Sequence, residues 1–181
     1  MSVAVVAAIL TLAGALAISI VGKVRNRASF ETFAHAVSEL RVTSTRRSRP
    51  VAAASIAAEA GVLALVLWPE TATIGLAAAV LLFGAFAVAL THAVRQGSTS
   101  GCHCFGPTSA PVAWRHVVRT GLLAAAAAGA LWGATTLPTV SLGMLTPAQF
   151  LVAFTIAAFV TTTLVRLDDL AWLINGVPHT R

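Results

Sequence analysis

The chain has 181 residues, 57% of them hydrophobic and 10% charged, with a mean hydropathy of +0.86. That balance excludes an ordinary soluble domain, which could not hide so much apolar surface behind so few charges. The net charge of +6 does not point to nucleic acid. The basic residues flank apolar runs without interleaved aromatics, and anionic lipid headgroups account for them more simply.

Five apolar runs, at about residues 2–22, 51–68, 71–94, 112–136 and 147–165, are each long enough to cross ~30 Å of hydrocarbon at ~1.5 Å per residue. The first has no charge, and its basic residues Lys23, Arg25 and Arg27 follow it. An anchored span is therefore expected rather than a cleaved signal peptide, whose positive charge comes first. The polar segment 23–50 places Phe30, Phe33, Ala34, Val37 and Leu40 at helical spacing. It predicts a short amphipathic helix on the membrane surface or folded against the bundle. Arg41, Arg46, Arg47 and Arg49 form a basic cluster before Pro50 and the second span. The turn Trp68-Pro69-Glu70-Thr71 is so short that spans two and three must form an antiparallel hairpin.

Residues 95–111 are polar, Gly-rich and punctuated by Pro107 and Pro111. Gly129 and Gly133 make a GxxxG in the fourth span, weak evidence for dimerisation in so Ala-rich a helix. The expected architecture is all-α: an integral membrane bundle of about five transmembrane helices plus one short amphipathic surface helix. It occupies residues 1–165, followed by an exposed tail over 166–181, and is multi-pass in the cell membrane.

The only two cysteines stand one residue apart in Ser100-Gly101-Cys102-His103-Cys104-Phe105-Gly106-Pro107. A tight turn lets them face each other, whereas an extended strand would point them apart. A disulfide between near neighbours closes a strained ring that is easily reduced and removes little chain entropy, which fits redox work better than stapling. Gly101 and Gly106 suit a sharp turn. His103 can lower a thiol's pKa. It can also join Cys102 and Cys104 as soft ligands for copper(I), or for zinc with a fourth ligand. Redox chemistry, metal handling and two inert thiols all stay open at this point, and no metal ligand is assigned.

Glu59 lies about 13 Å into the second span from Pro50 by helical rise. An ionisable group at that depth should face the interior with a partner. Arg119, about 12 Å in from the same face on the fourth span, matches it in depth. The expectation is a Glu59–Arg119 pair forming a polar floor below the cysteine loop, with His92 and His116 shallower. Segments 23–50 and 95–111 share one side with the tail, and seven of the twelve Lys and Arg lie in the first of these. The positive-inside rule puts that side in the cytoplasm, whereas disulfide formation belongs outside it. The side facing the cysteines is left open.

These residues resemble the MauE family. The resemblance rests on Cys102-His103-Cys104-Phe105-Gly106 in a loop between spans and on the preceding Arg95-Gln96-Gly97. Glu59 in the second span, Lys23 closing the first, the Phe-containing stretch after it, and Arg119 add to it. Family members commonly carry CGCFG, and here His103 replaces the middle glycine. MauE proteins are related to the DoxX-like membrane proteins and are needed for maturation of methylamine dehydrogenase, alongside a thioredoxin-like partner, MauD. The resemblance implies a membrane thiol–disulfide component, in effect an oxidoreductase, with Cys102 and Cys104 catalytic and Glu59, Arg119, His103, Phe105 and Gly106 supporting. It implies a thioredoxin-like, MauD-like partner and a maturing partner protein, in methylamine metabolism. A membrane quinone is a candidate acceptor by looser analogy with DsbB and vitamin K epoxide reductase bundles, although no quinone motif is visible. The other function classes are copper or other metal handling through Cys-His-Cys, and a non-catalytic membrane assembly factor.

Overall fold

The computed structural model describes residues 3–39, 47–96, 114–136 and 146–165. Within them the chain forms six helices and no strand: α1 (Val3–Val24), α2 (Arg27–Glu39), α3 (Ser48–Leu67), α4 (Ala72–Arg95), α5 (Trp114–Thr136) and α6 (Pro147–Val165). All but α2 are long and apolar enough to cross a membrane. The five expected spans and the expected short amphipathic helix are therefore all present.

Local chemistry sets the helix ends. Asn26 breaks α1 from α2 and caps the latter, its Oδ1 accepting from the Ser29 amide at 2.7 Å. At α6, Thr146 and Gln149 form a reciprocal capping box: the Gln149 amide donates to Thr146 Oγ1 at 3.4 Å, and the Thr146 amide donates to Gln149 Oε1 at 3.1 Å. Pro147 occupies the first helical position, where its missing N–H costs nothing. The second span begins at Ser48, ahead of the expected residue 51. Pro50 falls in its first turn, where a proline does not interrupt the hydrogen-bond ladder.

α3 and α4 pack as the predicted hairpin. Thr71 Oγ1 donates to Leu65 O at 2.9 Å across the turn. A Cβ on Gly75 would meet the Leu65 carbonyl carbon and the Val66 nitrogen, both at 2.6 Å, so only glycine allows this approach. α1 lies at the centre, against α3, α5 and α6. It runs antiparallel to α5, since Gly133 approaches Val5 at one end while Leu16 and Thr120 line one cavity towards the other. It runs parallel to α6, with Val6 and Ala7 beside Ala153, and Gly14 beside Thr161. Gly133 of the GxxxG thus serves packing within the chain, whereas Gly129 faces open space. The core comprises Leu12, Leu16, Val66, Leu76, Phe83 and Leu123 with smaller residues.

α2 does not float apart from the bundle. Phe33, Ala34 and Val37 pack on Ala52 of α3, with Phe30 and Ile56 at the margin. Phe30, Phe33, Ala34 and Val37 are four of the five residues whose spacing predicts an amphipathic helix; the fifth, Leu40, lies outside the described residues.

Candidate functional site

The two helix ends that frame the cysteine segment are in contact. Leu90 and Ala93 near the end of α4 are buried, with Val94 of the same helix and Val117 of α5 packed against them. Cys102, His103, Cys104, Phe105 and Gly106 lie outside the described residues. Chain connectivity places their segment between Gln96 and Trp114.

Below those ends sits the buried polar centre, and it is built around Glu59. The buried residues of α3 include Ala52, Glu59, Val62 and Val66, a single stripe at helical spacing that turns the carboxylate inward. Lys23 Nζ pairs with Glu59 Oε1. Ser19 Oγ donates to Oε2 at 3.0 Å. Lys23 and Glu59 are each only 1% exposed. Ser19 and Lys23 are four apart and share one face of α1. Helical side chains lean towards the N-terminus, so the lysine reaches back from the end of α1 into the bundle. Its ammonium lies 4.6 Å from the Phe33 ring centroid of α2 and 5.7 Å from that of Phe86 on α4. One cation thus binds four helices together through a carboxylate and two aromatic faces.

The expected pairing of Glu59 with Arg119 is replaced by this one. Arg119 is buried, but its Nη1 donates to Leu164 O at 3.4 Å, towards α6. Leu164 is in the last turn of α6, whose carbonyls have no intrahelical partner, and a cation there also complements the helix dipole. The neighbour Thr120, a further ~100° around the helix, is the α5 residue that faces the carboxylate's cavity. Matching depths along the two spans could not distinguish these directions. The partner that sequence reasoning missed, Lys23, is the basic residue that closes the first span. The signal for it was the i, i+4 pair Ser19 and Lys23, together with a side chain long enough to bury its stem and carry its charge along the helix.

A cavity of about 10 Å³ adjoins Glu59, lined by Ser19, Thr120, Leu16, Phe83, Phe86 and Leu90 among others. That is room for about one water, with carboxylate and hydroxyl groups to bind it. Leu90 is six residues before Gln96, and Thr120 six after Trp114, so the cavity lies ~9 Å below both anchors of the cysteine segment by helical rise. His116 is buried in the first turn of α5, and His92 is exposed near the end of α4, beside Gln96. Among the described residues no three His, Cys, Asp or Glu side chains cluster as metal ligands.

Comparison with known proteins gives one family. Neither a search of curated proteins nor one of solved structures finds a match. The family model described as methylamine utilisation protein MauE matches residues 1–134, from α1 through nearly all of α5 and across the cysteine segment. With five helices able to span a bilayer and a family match over most of its length, the chain belongs to the MauE family of methylamine utilisation proteins, as a multi-pass membrane protein.

Proposed function

We propose that the chain is a membrane thiol–disulfide redox component that exchanges electrons with a thioredoxin-like protein of the MauD kind and supports disulfide formation in, or maturation of, a partner protein. The observation that carries this reading is Cys102-His103-Cys104-Phe105-Gly106, the only cysteines of the chain, within the family match. The fold supports it by giving the segment two anchors held together above a buried ion pair.

In the reducing direction for the partner, the thiolate of one cysteine attacks a sulfur of the partner's disulfide. A mixed disulfide forms, and one partner thiolate leaves and takes up a proton. The second cysteine, as thiolate, then attacks the first cysteine's sulfur. This closes the Cys102–Cys104 disulfide and releases the partner as a dithiol. Two electrons have moved to the partner, and the reverse sequence oxidises it. Lys23 and Glu59 act by position: a mutually neutralised pair fixes α1, α2, α3 and α4 around the anchors. The cavity at Glu59 has room for a water.

The test is trapping. Cys102→Ser and Cys104→Ser variants of the full chain are acid-quenched and alkylated in cells that hold a thioredoxin-like partner. One variant is expected to accumulate a mixed disulfide that collapses on reduction. Thiols that remain reduced while binding copper(I) stoichiometrically would replace the redox reading with metal handling. Undiminished maturation in both variants would leave an assembly factor.

A further inference from the structure

The basic residues are segregated more sharply than their order in the sequence conveys. The antiparallel and parallel packing of α1, α5 and α6 and the α3–α4 hairpin give the bundle two ends. All eight Lys and Arg among the described residues fall at one of them or in the helical turns just inside it. At the opposite end the described residues hold one charged side chain, Glu70. At the basic end, Lys23 is committed to Glu59 and Arg49 to Glu31. Arg25, Arg27, Arg47 and Arg95 are exposed and make no ion pair with another described residue. They sit at the α1–α2 corner, before α3 and at the end of α4. They therefore form a rim around spanning helices rather than a patch on one of them.

We infer that this rim binds the phosphates of anionic phospholipids and so fixes the basic end in the cytoplasm, with the Trp68–Thr71 turn outside. The guanidinium fork matches phosphate oxygens. Basic flanks at headgroup height are attracted to the anionic cytoplasmic leaflet, and the excess of Lys and Arg sets orientation. Trp68 and Trp132, 65% and 73% exposed, stand at the other end without basic companions, in the position where indole rings meet an interface. One consequence rests on the thiol reading above: connectivity between α4 and α5 puts the cysteine segment on the basic side, so on this orientation thiol–disulfide exchange with a thioredoxin-like partner takes place in the cytoplasm, across the bilayer from the side where stable disulfides form.

Two measurements on the full chain test the inference without the native thiols. In a Cys102→Ser/Cys104→Ser background, Glu70→Cys and Arg27→Cys serve as single reporters for a membrane-impermeant maleimide. Glu70→Cys is expected to label in intact cells, and Arg27→Cys only after permeabilisation. The reverse pattern, or equal labelling of both, overturns the orientation whatever the native cysteines do. In vesicles mixing phosphatidylglycerol with phosphatidylcholine, the chain is expected to retain phosphatidylglycerol preferentially on extraction. Replacing Arg25, Arg27, Arg47 and Arg95 with Ala should lower that preference by up to about five-fold per arginine at low salt, with helicity unchanged. Equal retention of both lipids by the unaltered chain, leaving the rim to an acidic protein, overturns the lipid assignment.

Discussion

Two ion pairs join α3 to its neighbours, and they differ in almost everything except chemistry. Lys23–Glu59 links α1 to α3 inside the bundle, with both side chains 1% exposed. Arg49–Glu31 links α2 to α3 at the basic end, with side chains 69% and 51% exposed. The outer pair has the better hydrogen-bond pattern. Arg49 donates from Nε to Oε2 at 3.1 Å and from Nη2 to Oε1 at 2.7 Å. The inner pair has one Lys–Glu contact, helped by Ser19 and two aromatic rings. Water competes for the outer pair and screens it, so good geometry there contributes little. Nothing in the interior replaces a missing partner, so there each charge is indispensable to the other while the pair as a whole is not.

That asymmetry gives the largest expected effect. Lys23→Met or Glu59→Leu alone should destabilise the bundle by about 3–5 kcal/mol, because a buried charge is left uncompensated. The double variant removes both charges and should recover most of the loss. Unfolding by a rising SDS fraction in mixed micelles measures all three. Additive losses in the double variant would show that the two residues are not coupled, and the contrast with the outer pair would collapse.

The same two residues show what a sequence discloses and where it stops. The five spans were legible because charge-free runs of that length have few other uses, and α2 was legible from Phe30, Phe33, Ala34 and Val37. Glu59 was legible as a functional or structural centre because a carboxylate at that depth demands an explanation. Its partner was not. Counting rise along a helix gives depth, but which way a side chain points depends on ~100° steps and on the neighbour it finds. Arg119 and Thr120 are adjacent in sequence yet serve α6 and the Glu59 cavity respectively. The cysteine motif was legible at once as a motif, since its two thiols are the only ones, but spacing alone gives their chemistry and not their surroundings.

A middle effect isolates the aromatic share of the inner site. Phe33 is buried against Ala52 and also faces the Lys23 ammonium. Phe33→Leu keeps most of the apolar contact and removes the ring, and should cost about 2 kcal/mol if the cation–π contact is desolvated. In a Lys23→Met background the same substitution should cost markedly less. An equal cost in both backgrounds would reduce Phe33 to packing and leave the lysine's attachment to α2 unsupported.

The smallest effect belongs to the outer pair, and its salt dependence discriminates more than its size. Arg49→Ala should cost below about 1 kcal/mol despite two well-formed hydrogen bonds, because both side chains already lie largely in water. At about 1 M salt the Debye length falls to roughly 3 Å, and that small cost should disappear. The loss caused by Lys23→Met should hardly move under the same salt, since ions do not reach a pair that is shielded on all sides by helices. Measuring both variants at low and high salt therefore separates a screened pair from a buried one directly. If Arg49→Ala keeps its full cost at high salt, the α2–α3 corner is drier than its exposure indicates, and α2 is held as firmly by its surface as by Phe33.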